Sequence, residues 1–258
     1  VEAARRHKRV VSGGSQRVLG DYHKFARTVR SGVLGEIREV FVELGGPPRP
    51  CVYPGEAVPD ELDWDLWLGP APYAPYHPWR CQQKYDPAGR GWRNFFDYSG
   101  GMMTDWGGHK FGAALFSVGL HETGPVEVIP PDGNEHKYLT YVFENGLKLY
   151  HAPDSGKNVP FVGTEGQVPG AKTDKTVELP WYRGSGGIVG DFLHCVRTRE
   201  KPFRDVEIAH RTATVCHLGN IAYSLDRALK WDPVREEFKD DFEANCWLDR
   251  PRRDPWTL

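Results

Sequence analysis

The chain has 258 residues, 39% hydrophobic and 26% charged, with a formal net charge of −2. That length suffices for one large or two ordinary domains with their own cores, and the balanced charge excludes a disordered segment or a protein that coats nucleic acid. The 29 Gly, 21 Pro, 9 Trp and 11 Tyr predict a loop-rich fold whose aromatic residues line clefts as well as a core, which suits a small-molecule site. Cys51, Cys81, Cys195, Cys216 and Cys246 are odd in number and include no C-x-x-C pair, which argues against a zinc ribbon or a complete disulfide framework. Cys195 and Cys216 fall in helix-like apolar registers and read as core thiols. No apolar run reaches the roughly 18 to 20 residues of a bilayer span.

In chain order, VEAARRHK opens on what reads as the last turns of a helix with no capping residue ahead of it, so the chain reads as a fragment of a longer protein. The basic run RRHKR at residues 5–9 fits cations gathered at a helix C-terminus better than a nucleic-acid patch. Residues 9–14 (RVVSGG) read as a short buried strand ending in a turn. Tyr22, Phe25, Ala26 and Val29 then recur at helical spacing up to Gly32, and residues 36–44 (EIREVFVEL) alternate as a strand. Residues 45–97 dissolve into proline, aromatic and acidic residues and are expected to pack as an ordered flap or binding wall. A helix is predicted over 103–118, followed by strands at 126–129, 138–143, 147–151 and 176–179. Turns fall at residues 131–133, at Asn145 with Gly146, and at Glu165 with Gly166, gaps that favour antiparallel pairing. Helices follow at 188–199 and 205–227, and a Pro- and Trp-bearing tail ends the chain. The fold class is α+β: a predominantly antiparallel, open-faced sheet backed by helices. It is preceded over residues 1–17 by a remnant of an α/β unit, with residues 18–258 as one α+β domain.

Residues 98–119 read YSGGMMTDWGGHKFGAALFSVG and place Asp105 and His109 at i, i+4 directly after a glycine pair. On a helix the two side chains share a face, where a carboxylate can hold an imidazole in one tautomer for acid–base work. The pattern alone leaves open an ordinary ion pair in an acidic first turn. A metal site is disfavoured, because Asp-x-x-x-His supplies two ligands where a catalytic zinc takes three. At residues 176–197 a strand-like run meets Gly184, Gly186 and Gly190, but the G-x-G-x-x-x-G spacing does not match a dinucleotide fingerprint, and a turn into a packing helix is the favoured reading.

Taken together, these segments make the chain resemble the C-terminal half of the Gfo/Idh/MocA oxidoreductases. VEAARRHKRVVSGGSQR is similar to the last helix and strand of that family's Rossmann domain, and VRSGVLGEIREVFVEL to the crossing into its second domain. YSGGMMTDWGGHKFG resembles its catalytic helix, VGTEGQV its GTEG turn, and GDFLHCVRTREKPFRDVEIAHRTATVCHLGNIAY its C-terminal helices; ELDWDLWLGPAP and the ending KWDPVREEF resemble a bacterial subgroup of predicted dehydrogenases. The resemblance implies NAD- or NADP-dependent redox chemistry on a sugar, polyol or related carbinol. His109 would be the general acid/base and Asp105 its orienting and polarising partner. Arg93 and Tyr98 are expected to contact substrate hydroxyls, with Trp92 as a wall. The resemblance also implies that residues 18–258 are the substrate-binding and oligomerisation domain, that the cofactor is bound mainly by a nucleotide-binding half and that the chain is inactive without it. Gly112 departs from the pattern, since many members carry Asp there. Two other functions stay open, a redox-assisted NAD-dependent glycoside-cleaving enzyme and a non-enzymatic sugar-binding module. The expected partners are a small-molecule substrate and further copies of the chain joined through the sheet, because residues 138–143 and 148–151 carry apolar side chains at nearly every position. Nucleic acid and membrane are not expected as partners; localisation is not read from the sequence, with cytoplasm slightly favoured, since an export signal could lie in the missing N-terminal part.

Overall fold

The computed structural model describes residues 1–15, 18, 23–81, 90–152 and 161–256. Eight strands form one sheet: β1 (Ile37–Glu43), β2 (Glu127–Ile129), β3 (Leu139–Val142), β4 (Lys148–Ala152), β5 (Phe161–Gly163), β6 (Gln167–Val168), β7 (Leu229–Asp232) and β8 (Glu237–Phe238). Their order is β6-β5-β1-β4-β3-β2-β7-β8. The helices are α1 (Glu2–Arg6), α2 (His23–Arg30), α3 (Trp64–Leu68), α4 (Pro78–Cys81), α5 (Gly101–Asp105), α6 (Gly107–Val118), α7 (Gly187–Thr198), α8 (Val206–Leu225) and α9 (Phe242–Cys246). The predicted α+β class holds.

Alternation along the strands sorts residues between two faces. Val40, Val42, Leu139, Tyr141 and Leu149 are buried in one core with Met103, Phe111, Leu115, Val215 and Leu218 of α5, α6 and α8. The opposite face carries Phe41, Tyr138 and Tyr150, half-buried against one another, with Phe41 stacked on Tyr150 at 4.8 Å between ring centroids. The Asn145 and Gly146 turn joins β3 to β4 as expected: Gly146 has φ +82° and Leu147 N–H donates to Asn145 Oδ1 at 3.2 Å. The predicted flap is ordered over its described part. Asp63 caps α3 by accepting from Leu66 N–H, and the Trp64 indole donates to the Ala74 carbonyl at 2.8 Å.

The sheet is predominantly antiparallel as expected, with one parallel pair at its centre, β1 with β4, from Glu39 with Lys148 to Glu43 with Ala152. The long connection between them, which contains the flap and α6, leaves ample room for a crossover. Two expectations need correction. Residues 176–179 form no strand; Leu179 instead packs with Tyr182 and Phe203 over a small second core of Val18, Ala26, Ala113 and Phe116. Residues 9–14 make one isolated bridge, Ser12 with Asp205, and Val11 is exposed, because no strand lies alongside them among the described residues. The basic run ends α1 as expected, and Arg5 forms an ion pair with Asp205. The second half of the turn before α2 lies outside the described residues.

Helix α8 reaches the sheet through Gly219. A Cβ at that position would overlap the Tyr141 hydroxyl and come within 2.7 Å of Met103 Cε and 2.9 Å of Leu139 Cδ2. The Tyr141 hydroxyl is buried without a hydrogen-bond partner, and burial pushes its pKa well up. Gly219→Ala would add about 1 kcal/mol of helix propensity in an open helix. Here it is expected to lower stability by about 1–3 kcal/mol through overpacking. The readout is a lower urea midpoint at unchanged slope. Tyr141→Phe should hold or raise stability and should relieve most of the loss in the double variant; strictly additive effects would refute the close-approach account.

Candidate active site

The glycine pair ahead of the predicted catalytic helix has a structural cause. Gly101 has φ +67°, and a Cβ there would lie 2.6 Å from Pro48 N and 2.8 Å from Pro47 C, so the start of the flap crosses the chain at this point. Asn220 Nδ2 donates to the Gly100 carbonyl at 2.9 Å, and Met103 N–H donates to the Gly46 carbonyl at 3.3 Å. The entry of α5 is thereby held by the flap, by α8 and by the segment after β1. Trp106 joins α5 to α6 with helical torsions, φ −77° and ψ −25°, so Asp105 and His109 remain one turn apart.

The two residues have different neighbours. Arg93 Nη1 lies 3.4 Å from Asp105 Oδ2, with the two side chains 31% and 28% exposed, a part-buried ion pair at the edge of the helix. Ser15 Oγ lies 2.9 Å from His109 Nδ1 and donates to the Gly108 carbonyl at 3.0 Å. A hydroxyl has one proton and a carbonyl can only accept. With that proton directed at Gly108, the imidazole must donate from Nδ1, which leaves the lone pair on Nε2. A serine from the segment that precedes α2 thus stands against one ring nitrogen of His109, and this orientation of its hydroxyl favours the tautomer protonated on Nδ1.

The predicted substrate residues separate. Arg93 meets Asp105, whereas Trp92, in the same 3₁₀ turn (Trp92–Asn94), lines a groove of about 1310 Å³ together with Tyr98. Neither Asp105 nor His109 lines that groove. Tyr98 Oη accepts from Arg80 Nη1 at 3.3 Å, and burial raises its pKa against the opposing effect of Arg80. Sequence reasoning missed Ser15, since a serine after two glycines carries no chemical signature. It also missed His217, Asn220 and Arg250 around the groove, which sit in segments read only as helix and tail.

At Gly112 the space for a side chain is taken. A Cβ would stand 3.2 Å from Arg204 Nη2 and 3.3 Å from Thr212 Cγ2. The Arg204 guanidinium is 2% exposed, and burial lowers its pKa to about 10. An Asp at position 112 would therefore meet a buried cation from the start of α8.

The glycine-rich loop before α7 does not form a cradle for phosphates. Gly184, Gly186 and Gly187 have φ of +69°, +100° and +62°, and a Cβ on Gly190 would overlap the Ser185 carbonyl. These glycines serve the turn itself, so the loop does not fit a dinucleotide. Among the described residues, no group of three or more His, Cys, Asp or Glu side chains could hold a metal ion, and no helix is long and apolar enough to cross a membrane.

Comparison with known proteins adds to this geometry. The C-terminal alpha/beta domain of the Gfo/Idh/MocA oxidoreductase family matches residues 52–258. Among solved structures, a NAD-binding protein from Listeria innocua is 15% identical with a TM-score of 0.50, covering 89% of this chain and 66% of that one. A probable dehydrogenase from Thermotoga maritima is 14% identical with a TM-score of 0.49, covering 89% and 67%. An aldose-aldose oxidoreductase from Caulobacter crescentus is 14% identical with a TM-score of 0.47, covering 89% and 66%. At 15% identity the likeness to the Listeria innocua protein speaks to the fold alone, and the chain spans about two thirds of the length of these structures. No curated protein matches it.

The tautomer argument makes a spectroscopic prediction. Nitrogen-15 shifts of the His109 ring are expected to show the proton on Nδ1 at pH above its titration, and Ser15→Ala should abolish that preference while the amide spectrum of α6 stays in place. A ring protonated on Nε2 in the parent chain would refute the assignment.

Proposed function

Because the chain belongs to the Gfo/Idh/MocA oxidoreductase family, matching its C-terminal domain over residues 52–258, we propose that it is the substrate domain of a nicotinamide-dependent oxidoreductase acting on a sugar, polyol or related carbinol. The observation that carries this reading is His109, with Ser15 Oγ 2.9 Å from its Nδ1, one helical turn from the Asp105 carboxylate and its Arg93 partner. NAD or NADP, when bound, supplies the hydride acceptor. Because the loop at residues 184–190 does not fit the dinucleotide, its binding is assigned to a nucleotide-binding half outside this chain, and the chain by itself is inactive.

The residues present have clear tasks. His109 Nε2 takes the hydroxyl proton as the carbinol is oxidised and returns it in reduction. Asp105 and Arg93 form a charge pair beside the hydroxyl: the carboxylate favours the imidazolium that forms, and the guanidinium limits how negative the site becomes. Redox-assisted cleavage of a glycoside would use the same groups, and product analysis on ketosugars and glycosides separates the two outcomes. In the enzyme with its nucleotide-binding domain in place, His109→Ala is expected to lower kcat by about two to four orders of magnitude with cofactor affinity little changed. Asp105→Asn should lower it less and displace the pH–rate profile. Wild-type turnover in both variants would make the helix structural.

Assembly belongs to the same reading. Phe41, Tyr138 and Tyr150 cluster on the sheet face opposite α5 and α6, beside Ile129 and Val142, with no helix over them among the described residues. This face is assigned to contact with a second copy, leaving Asp105 and His109 on the far side. Light scattering at micromolar concentration should give a dimer or larger, and Phe41→Lys with Tyr150→Lys should give a monomer with an unchanged circular dichroism spectrum. A monomeric parent chain would overturn the assignment.

A further inference from the structure

The groove that holds Trp92 and Tyr98 is built as a site in its own right. Its floor is one stripe of α8, with Thr214, His217, Ile221 and Ser224 at helical spacing, and its walls come from the flap, the segment before α5 and the C-terminal tail. The tail is pinned across the groove at both ends. Arg250 donates to the Phe96 carbonyl at 2.7 Å and the Ser99 carbonyl at 3.4 Å, and its guanidinium stacks 4.6 Å from the Phe96 ring. Arg253 grips the Asp65 carboxylate at 2.7 Å, and its N–H reaches the Pro70 carbonyl at 3.3 Å. A wall held in this way is in place without a ligand, so binding need not order it. Its volume, about 1310 Å³, exceeds that of an ordinary small-ligand pocket, about 300–1,000 Å³.

The polar groups around the groove select the chemistry of the occupant. Most of the charges are already satisfied: Glu236 is held by His210 at 2.7 Å and Arg211 at 3.1 Å, Asp249 by Arg252 at 2.7 Å, and Arg250 by the two carbonyls. What remains unpaired is mostly uncharged. His217 makes no hydrogen bond among the described residues and is exposed to the groove, so its ring can both donate to and accept from an occupant; desolvation, then Arg250, lower its pKa. Tyr98 Oη accepts from Arg80 and keeps its own proton to donate. The Asp97 carboxylate has no ion pair among the described residues and feels Arg250 only at longer range, which makes it an acceptor. Trp67, Trp92 and Trp247 stand among these groups, and their indole N–H groups have no protein partner among the described residues. Donors and acceptors among aromatic rings in one groove suit a ligand whose rings carry hydroxyls on their edges and C–H groups on their faces.

We propose that this groove binds a neutral, polyhydroxylated ligand of one or two sugar-sized rings, at a site separate from Asp105 and His109 and independent of the redox reading. An anion would find its cations engaged, and a metal ion would find no cluster of three ligands.

The test titrates the 258-residue chain with maltose, cellobiose and myo-inositol, each to about 20 mM, following indole and imidazole resonances. At least one probe is expected to bind with a Kd of about 1 mM or tighter, shifting the indole N–H of Trp67, Trp92 or Trp247 and the ring of His217. His217→Ala and Trp247→Ala should each weaken binding about tenfold, whereas His109→Ala should leave it within about twofold. His217→Gln provides a second variant should the alanine change disturb folding. The proposal is overturned if no probe binds, if shifts fall only on indoles outside the groove, or if His109→Ala removes the binding that His217→Ala leaves intact. Turnover is not read, so failure of the groove leaves the oxidoreductase reading standing, and failure of that reading leaves the groove.

Discussion

A helix can approach a sheet only as closely as the smallest side chain between them allows, and α8 has none at Gly219. With Tyr141, Met103 and Leu139 filling that gap, α8 lies low enough on the sheet for the next residue, Asn220, to reach the Gly100 carbonyl. That hydrogen bond fixes the entry of α5, and with it the direction in which Asp105 and His109 project. Gly107 repeats the device on the neighbouring helix, where a Cβ would come within 2.9 Å of Cys216 Sγ. Two missing side chains thus set the packing of the helix layer, and Asp105 and His109 stand on that layer.

Much of this was legible in the sequence. The hairpin of β3 and β4 followed from alternation and its Asn-Gly turn, and α6, α7 and α8 followed from helical spacing, because in these segments local preference and burial agree. The elements that were missed owe their existence to distant partners. Strand β7 forms because Leu229 and Lys230 find β2, and β8 because Phe238 packs on Trp231, neither of which is visible in a short window of a Pro- and Trp-bearing tail. Residues 176–179 alternate as a strand should, yet the apolar cluster around Phe116 takes Leu179 instead.

The candidate site was legible as residue types and not as an arrangement. Asp105 and His109 stood out by spacing, and Arg93 and Trp92 by proximity to the helix. That two adjacent residues would serve different places, Arg93 the carboxylate and Trp92 the groove, depends on a 3₁₀ turn that the sequence WRN does not announce. Ser15 acts on His109 from far along the chain, and such a contact has no local signal. The identity of residue 112 becomes intelligible only once Arg204 is seen occupying the adjoining space.

The parallel pairing of β1 with β4 bears on how the chain folds as it is made. Val40 lies between Leu149 on one side and Phe161 on the other, so this central strand emerges early and has no neighbour until the far side of the flap and α6 has been synthesised. Contacts of such sequence separation form slowly, because the loop must close before any pairing rewards it. Until then Val40, Phe41 and Val42 present an open, β-branched and aromatic edge to other nascent chains, the kind of segment through which strands aggregate. The yield of folded protein should therefore depend more on how quickly the β3 and β4 hairpin arrives than on how stable the finished sheet becomes.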